Sequence, residues 1–138
     1  MTQKEVSDYM HEITPSSFVN HVGPLLSRAG ASKGDKVHWC AMRVEEHHVN
    51  SWNFAHGGFL ATLAEIGTAR ACWDPDGPAT VAIDLNVQFI AAPKLGDLIE
   101  ICSWTVKRTR TLVFTSARGE VQGEPVFLAT SIQKIMKG

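Results

Sequence analysis

The stretch Asn50-Ser51-Trp52-Asn53-Phe54-Ala55-His56-Gly57-Gly58 runs into an apolar segment that carries one acid, Glu65. Two glycines at the start of a helix leave backbone N–H groups without intrahelical partners, at the positive end of the helix dipole. Such donors stabilise an oxyanion as it develops on a carbonyl. Each is worth about 10²–10³ in rate. A carboxylate about two turns further on can activate water, a contribution of about 10²–10⁴. Together these parts suffice for acyl transfer to water with neither a metal nor a Ser-His-Asp triad.

Each part also has a plainer reading. His-Gly-Gly is often only a tight turn that opens a helix. Most helix glutamates face solvent. An isolated Asn50 suits a turn or a cap. The joint spacing lifts the catalytic reading above these, because the wheel neighbours of Glu65 are small and apolar rather than charged.

Other chemistries fit less well. His47, His48 and His56 lack a metal-ligand spacing such as H-E-x-x-H, and the first two suit a surface pair at a strand end. Ser16, Ser17 and Ser51 have no G-x-S-x-G context. Cys40, Cys72 and Cys102 are odd in number, widely spaced and without C-x-x-C, which suits free thiols packed as small hydrophobes. Neither metal nor redox cofactor is implied. Lys107, Arg108 and Arg110 form a basic cluster at a hairpin. The cluster suits either the phosphates of a nucleotide-bearing substrate or a solvated turn. Lys94 is a weaker candidate of the same kind. Trp52 and Phe54 suit the lining of an acyl or aryl pocket, or an interface between subunits.

The elements that must position these residues follow from periodicity. Val6, Tyr9, Met10 and Ile13 recur at i, i+3, i+4 and i+7, which predicts a short amphipathic helix before Pro15. Residues 14–35 read as loop with a helical turn, and residues 36–48 as a strand. Residues 57–73 form the one long helix. Its bulky side, Phe59, Leu60, Leu63 and Ile66, faces away from Glu65, which has Gly58, Ala61, Ala69 and Cys72 around it. From Ala79 the period changes to two. Val81, Ile83, Leu85, Val87 and Phe89 alternate with Ala82, Asp84, Asn86, Gln88 and Ile90. Strands at 98–106, 112–121 and 126–136 follow, joined by short connections at 107–111 and 122–125. A long antiparallel sheet packed on one helix is the simplest α+β arrangement.

At 138 residues, 44% apolar and 20% charged, the chain suits a single globular domain. A net charge of −1 gives no electrostatic case for nucleic acid. The first residues lack the apolar core of a signal peptide, and no apolar run approaches the ~20 residues of a membrane span. The expected setting is cytoplasmic.

The sequence resembles the hotdog-fold thioesterases of the phenylacetyl-CoA-thioesterase-like group, which also includes eukaryotic acyl-CoA thioesterases. The resemblance covers roughly residues 36–136. It rests on Asn50, on His56-Gly57-Gly58 and on the acid at Glu65. It rests also on Thr80–Phe89 running into Ala92-Pro93-Lys94-Leu95-Gly96-Asp97. It implies a curved antiparallel sheet wrapped around one long central helix. Residues 1–138 would be a single hotdog domain, with 1–34 as an N-terminal helix and loop extension. It implies a homodimer joined edge to edge, or a homotetramer of two such dimers. Active sites would lie at the subunit interface. The reaction implied is hydrolysis of an acyl- or aryl-CoA thioester to the acid and coenzyme A.

By the same resemblance, Glu65 is the base or nucleophile and Gly57 the oxyanion donor. Asn50 and His56 support them. Gly58, Trp52, Phe54, Lys94, Lys107, Arg108 and Arg110 are candidate substrate contacts. Three positions depart from the pattern. Glu65 stands where the phenylacetyl type commonly has Asp, and Asn53 where it often has Gly. Ala82 stands near a position where some members carry a water-positioning Ser or Thr, for which Thr80 is a substitute. Rival readings are a hotdog enoyl-CoA hydratase or dehydratase, and a non-catalytic acyl-CoA-binding module.

Overall fold

The computed structural model describes residues 9–12, 14–28 and 35–137. The described elements, in chain order, are β1 (Tyr9–Glu12), α1 (Ser17–Val22), β2 (Leu25–Arg28) and β3 (Val37–Arg43). A short 3₁₀ turn (Glu46–His48) precedes α2 (Gly57–Arg70). The rest is β4 (Thr80–Phe89), β5 (Leu98–Arg108), β6 (Leu112–Val121) and β7 (Glu124–Ile135). The strands form one antiparallel sheet in the order β1-β2-β3-β5-β6-β7-β4.

The sheet wraps α2, as the resemblance implies. Phe59, Leu60, Leu63, Ala64 and Ile66 of the helix pack in one core with Met42, Ile99, Ile101, Ala117 and Phe127 of the strands. The bulky helix face is therefore the buried one, as periodicity predicts. Helix and sheet approach closely at Gly67, where a Cβ would come within 2.5 Å of Ile101 Cγ2. The helix stops at Arg70, three residues short of the expected 73.

The N-terminal segment departs from expectation. Tyr9 and Met10 lie in a strand, not a helix; Val6 and Ile13 fall outside the described residues. Tyr9–Glu12 pairs with Leu25–Arg28, a strand the sequence pattern did not reveal. The tertiary reason is visible: Tyr9 donates its hydroxyl to Glu100 Oε2 at 2.7 Å and clusters with Ala41 and Leu98 on the outer sheet face. The four-residue β1 has no local signal strong enough to override a helical spacing. The expected strand 36–48 ends at Arg43, and His47 and His48 sit on the 3₁₀ turn.

Strand β4 carries a bulge between Ala82 and Asp84. Thr80 and Ala82 share the helix-side face with Leu85 and Val87 across that irregularity, so the single alternating stripe expected here is broken. Val81 and Ile83 end up exposed, at 50% and 57%. The β6–β7 connection is tighter than expected. Only Gln122 and Gly123 turn the chain, both with positive φ, as a two-residue hairpin requires.

Candidate active site

Everything proposed for chemistry hangs on the entry to α2. His56 is its N-cap, in extended conformation with φ −63° and ψ 142°. Its ring Nδ1 accepts the Gly58 N–H at 2.9 Å. The first intrahelical bond runs from Leu60 N to His56 O. The expectation that both glycine amides are free is thus half corrected. Gly58 spends its N–H on His56, whereas no hydrogen bond occupies the Gly57 N–H among the described residues. With Nδ1 accepting, a neutral His56 carries its proton on Nε2.

The loop before the helix is self-supporting. Asn50 Oδ1 accepts from Trp52 N at 2.9 Å and from Phe54 N at 3.2 Å. Its side-chain NH₂ is the part left for a substrate or a water. Asn53 has φ +63°, the left-handed conformation a glycine takes readily and an asparagine tolerates. The loop therefore keeps a glycine-type path despite the substitution. Phe54 bridges to Lys94, which brings Lys94 beside this loop, and Trp52 stands out at 76% exposure.

Glu65 lies half-buried on α2 and lines a cavity of about 370 Å³. Ala69, Trp73, Ala79 and Thr80 line the same cavity, so Thr80 borders the space that Glu65 faces. Burial raises the Glu65 pKa above the usual carboxylate value. No hydrogen bond or ion pair to its carboxylate occurs among the described residues. A proton-accepting group that is partly desolvated and unpaired is poised for a reaction partner.

Glu65 and Gly57 are eight residues apart on one helix, hence about 12 Å along its axis. That rise separates the two backbone positions, and the Glu65 side chain spans only part of it. Gly57 instead neighbours Phe89, whose Cζ would lie 3.8 Å from an added Cβ.

The remaining candidates are spread out. Lys107 and Arg108 end β5, and Arg110 lies in the exposed turn after it. This hairpin lies near the C-terminal end of α2, where Thr105 Oγ1 donates to Ala71 O. Arg108 also lies within electrostatic reach of the Cys72 thiol. Lys94 is at the opposite end of the strand, about 34 Å away by the rise per residue. One chain cannot bring all four cations to one phosphate group. His47 and His48 both bond to the Val22 carbonyl. His48 is buried, stacked on Phe59 at 3.8 Å, so only His47 is a surface residue. No three His, Cys, Asp or Glu side chains converge in a metal-holding group among the described residues. Cys40, Cys72 and Cys102 are free and buried.

Sequence reasoning missed one pair. Arg70 Nη1 donates to Glu12 Oε1 at 3.0 Å, and both residues line the cavity that Glu65 borders. The residues are 58 positions apart, and only the unforeseen β1 brings them together.

The thioesterase superfamily model matches residues 53–127. Human acyl-coenzyme A thioesterase 13 is 38% identical over 78 residues, 56% of each chain, so the match spans little over half of that relative's length. Among solved structures, a hypothetical thioesterase protein of Streptococcus pneumoniae TIGR4 with coenzyme A is 25% identical. It superposes with a TM-score of 0.66 over 74% of this chain and 82% of its own. The E. coli PaaI protein from the phenylacetic acid degradation operon is 19% identical and has the same fold. Its TM-score is 0.79, over 90% of this chain and 87% of its own.

Proposed function

Because the chain belongs to the thioesterase superfamily, we propose that it hydrolyses acyl-CoA thioesters to a carboxylic acid and coenzyme A. One observation carries the reading: the half-buried Glu65 carboxylate borders a cavity and the Gly57 N–H opens a helix, and neither has a hydrogen-bond partner among the described residues. In the reaction, Glu65 takes a proton from water as the oxygen bonds to the thioester carbon. The carbonyl oxygen gains charge against the Gly57 N–H and the positive end of α2. Collapse of the tetrahedral species expels the coenzyme A thiolate, already a fair leaving group. His56 Nε2–H and the Asn50 amide orient carbonyl and water.

The 12 Å of helix between the two backbone positions supports what the family resemblance implies, a site that takes its acid from one copy and its donor from the other. β4 is an edge strand with Val81, Ile83 and Phe89 exposed, an open template for pairing. Antiparallel β4–β4 pairing sets the Phe89 end of one strand beside the Thr80 end of the other. That carries one copy's Gly57 toward the other's Glu65 cavity. A homotetramer of two such dimers and a cytoplasmic setting complete the reading, in keeping with three cysteines that form no disulfide. The whole of 1–138 acts as one domain.

The direct test is free-thiol release from a panel of acyl- and aryl-CoA esters by the wild type and Glu65→Gln. The wild type turns over at least one class, and Glu65→Gln loses ~10²-fold or more in kcat. Hydration of an enoyl-CoA without thiol release would instead point to a hydratase.

A further inference from the structure

Gly57 has no side chain to anchor it, and a Cβ added there would meet only Phe89. Its N–H is aimed by the residues on either side. One residue, His48, holds both flanks. The His48 carbonyl oxygen accepts the His56 N–H at 2.8 Å, one residue before Gly57. The His48 ring stacks on Phe59, two residues after Gly57, with centroids 3.8 Å apart and planes 9° from parallel.

His48 is itself tied down. Its ring Nδ1 accepts the Glu45 N–H at 2.9 Å, and its own N–H donates to Glu45 O at 2.9 Å. This reciprocal pair closes the 3₁₀ turn and fixes the direction of the His48 carbonyl. With Nδ1 accepting, the neutral ring carries its proton on Nε2, which donates to the Val22 carbonyl of α1 at 2.6 Å. Only 3% of the residue is exposed. The ring is thus held in one tautomer and one orientation, with its face given to the first turn of α2.

We infer that His48 is a positioning residue for the Gly57 amide, acting through His56 and Phe59. The inference rests on that amide being the oxyanion donor. A donor that drifts leaves substrate binding intact and meets the developing charge less well, so the loss falls on kcat rather than on KM. A misplacement of about 1 Å costs as much as ~10²-fold in rate.

The experiment removes the stack from each side. His48→Gln keeps an N–H donor on a chain of similar reach and loses the ring. Phe59→Leu keeps an apolar residue in the core, loses the opposite ring and guards against misfolding of the first variant. Each lowers kcat for an acyl-CoA ester about tenfold and leaves KM within about twofold of wild type. Both substitutions are then repeated in Gly57→Pro, which has no amide to aim and keeps the helix start. There neither lowers kcat further, because the two sites act through one group. Unchanged kcat in both single variants overturns the inference. So does the same tenfold loss on top of Gly57→Pro, the outcome of a merely structural role. Absence of thiol release from every ester defeats the hydrolase reading alone. Relaxation of the ¹⁵N-labelled Gly57 amide then decides this one. An order parameter of about 0.85 in the wild type that falls toward about 0.6 in both variants supports it, and equal values overturn it.

Discussion

His56 and Gly58 hold one another in place. The imidazole Nδ1 takes the Gly58 amide at 2.9 Å, and a methyl group on Gly58 would lie only 3.2 Å from that same nitrogen. Two glycines that look equivalent in sequence therefore do different things. Gly58 makes room for the cap and satisfies it. Gly57, one residue earlier, keeps its N–H for something outside the helix.

Gly57→Pro separates the donor from the fold. Proline suits the first helical position, where its missing N–H breaks no intrahelical bond. The preceding His56, at φ −63° and ψ 142°, already has the extended conformation that proline demands of its neighbour. The variant folds with near-wild-type thermal stability and loses about 10²–10³ in kcat. Gly57→Ala is the control, since its Cβ meets only Phe89 at ordinary contact distance. A Gly57→Pro enzyme with full activity would remove this amide from the mechanism.

His56 has two separable tasks. His56→Ala loses the cap, at a cost of about 1 kcal/mol. His56→Asn restores an N-cap acceptor for the Gly58 amide but has no donor at the Nε2 position. Thermal melts of His56→Asn return toward wild type, while kcat/KM stays roughly tenfold down from the lost hydrogen bond to the carbonyl. Recovery of both together would make His56 a cap and nothing more.

Glu65 gives a pH signature. Burial raises its pKa in the folded state, so the folded protein holds this proton to higher pH than the unfolded chain does. Stability associated with the group is fully present below the unfolded carboxylate pKa and is lost as pH rises through the folded value. Glu65→Gln therefore melts higher than the wild type at neutral pH, and the difference vanishes in acid. Activity runs the other way: kcat rises with pH through the raised pKa, because the base must be ionised. A kcat profile flat from acid to neutral pH would count against Glu65 as the base.

The division between what the sequence reveals and what it hides follows contact range. α2 and the strands β5 to β7 are legible because their apolar periods are local and long. The acid, the cap and the loop acceptor Asn50 fall within one short stretch, so their spacing is legible too. β1 is not, because its helical spacing of Tyr9 and Met10 is outweighed by pairing with β2 and by Tyr9–Glu100, 91 residues apart. The Ala82/Asp84 bulge is equally silent, since an unbroken alternation of residue types gives no sign of an inserted one. The Glu12–Arg70 pair inherits the invisibility of β1.

The basic hairpin is tested by substrate comparison. Single Ala variants of Lys107, Arg108 and Arg110 raise KM for coenzyme A esters several-fold through lost phosphate contacts. They leave KM for a short thioester without the nucleotide nearly unchanged. Equal effects on both substrates would make these cations a solvated turn. Arg108 shows the largest effect of the three, since it is the one whose field reaches the helix end beside the cavity.

The proposed sharing of each site between two copies has the most direct consequence. Glu65→Gln and Gly57→Pro chains are each inactive as homodimers, one without the base and the other without the donor. Mixed by unfolding and refolding, they form heterodimers in which one site takes both defects and the other takes neither. With random pairing, half the dimers are mixed and each has one sound site, so activity returns to about one quarter of wild type. Acid and donor acting from the same chain give no recovery in the mixture, because every such site carries one defect. The 12 Å of helix between Glu65 and Gly57 is what makes the first outcome the expected one.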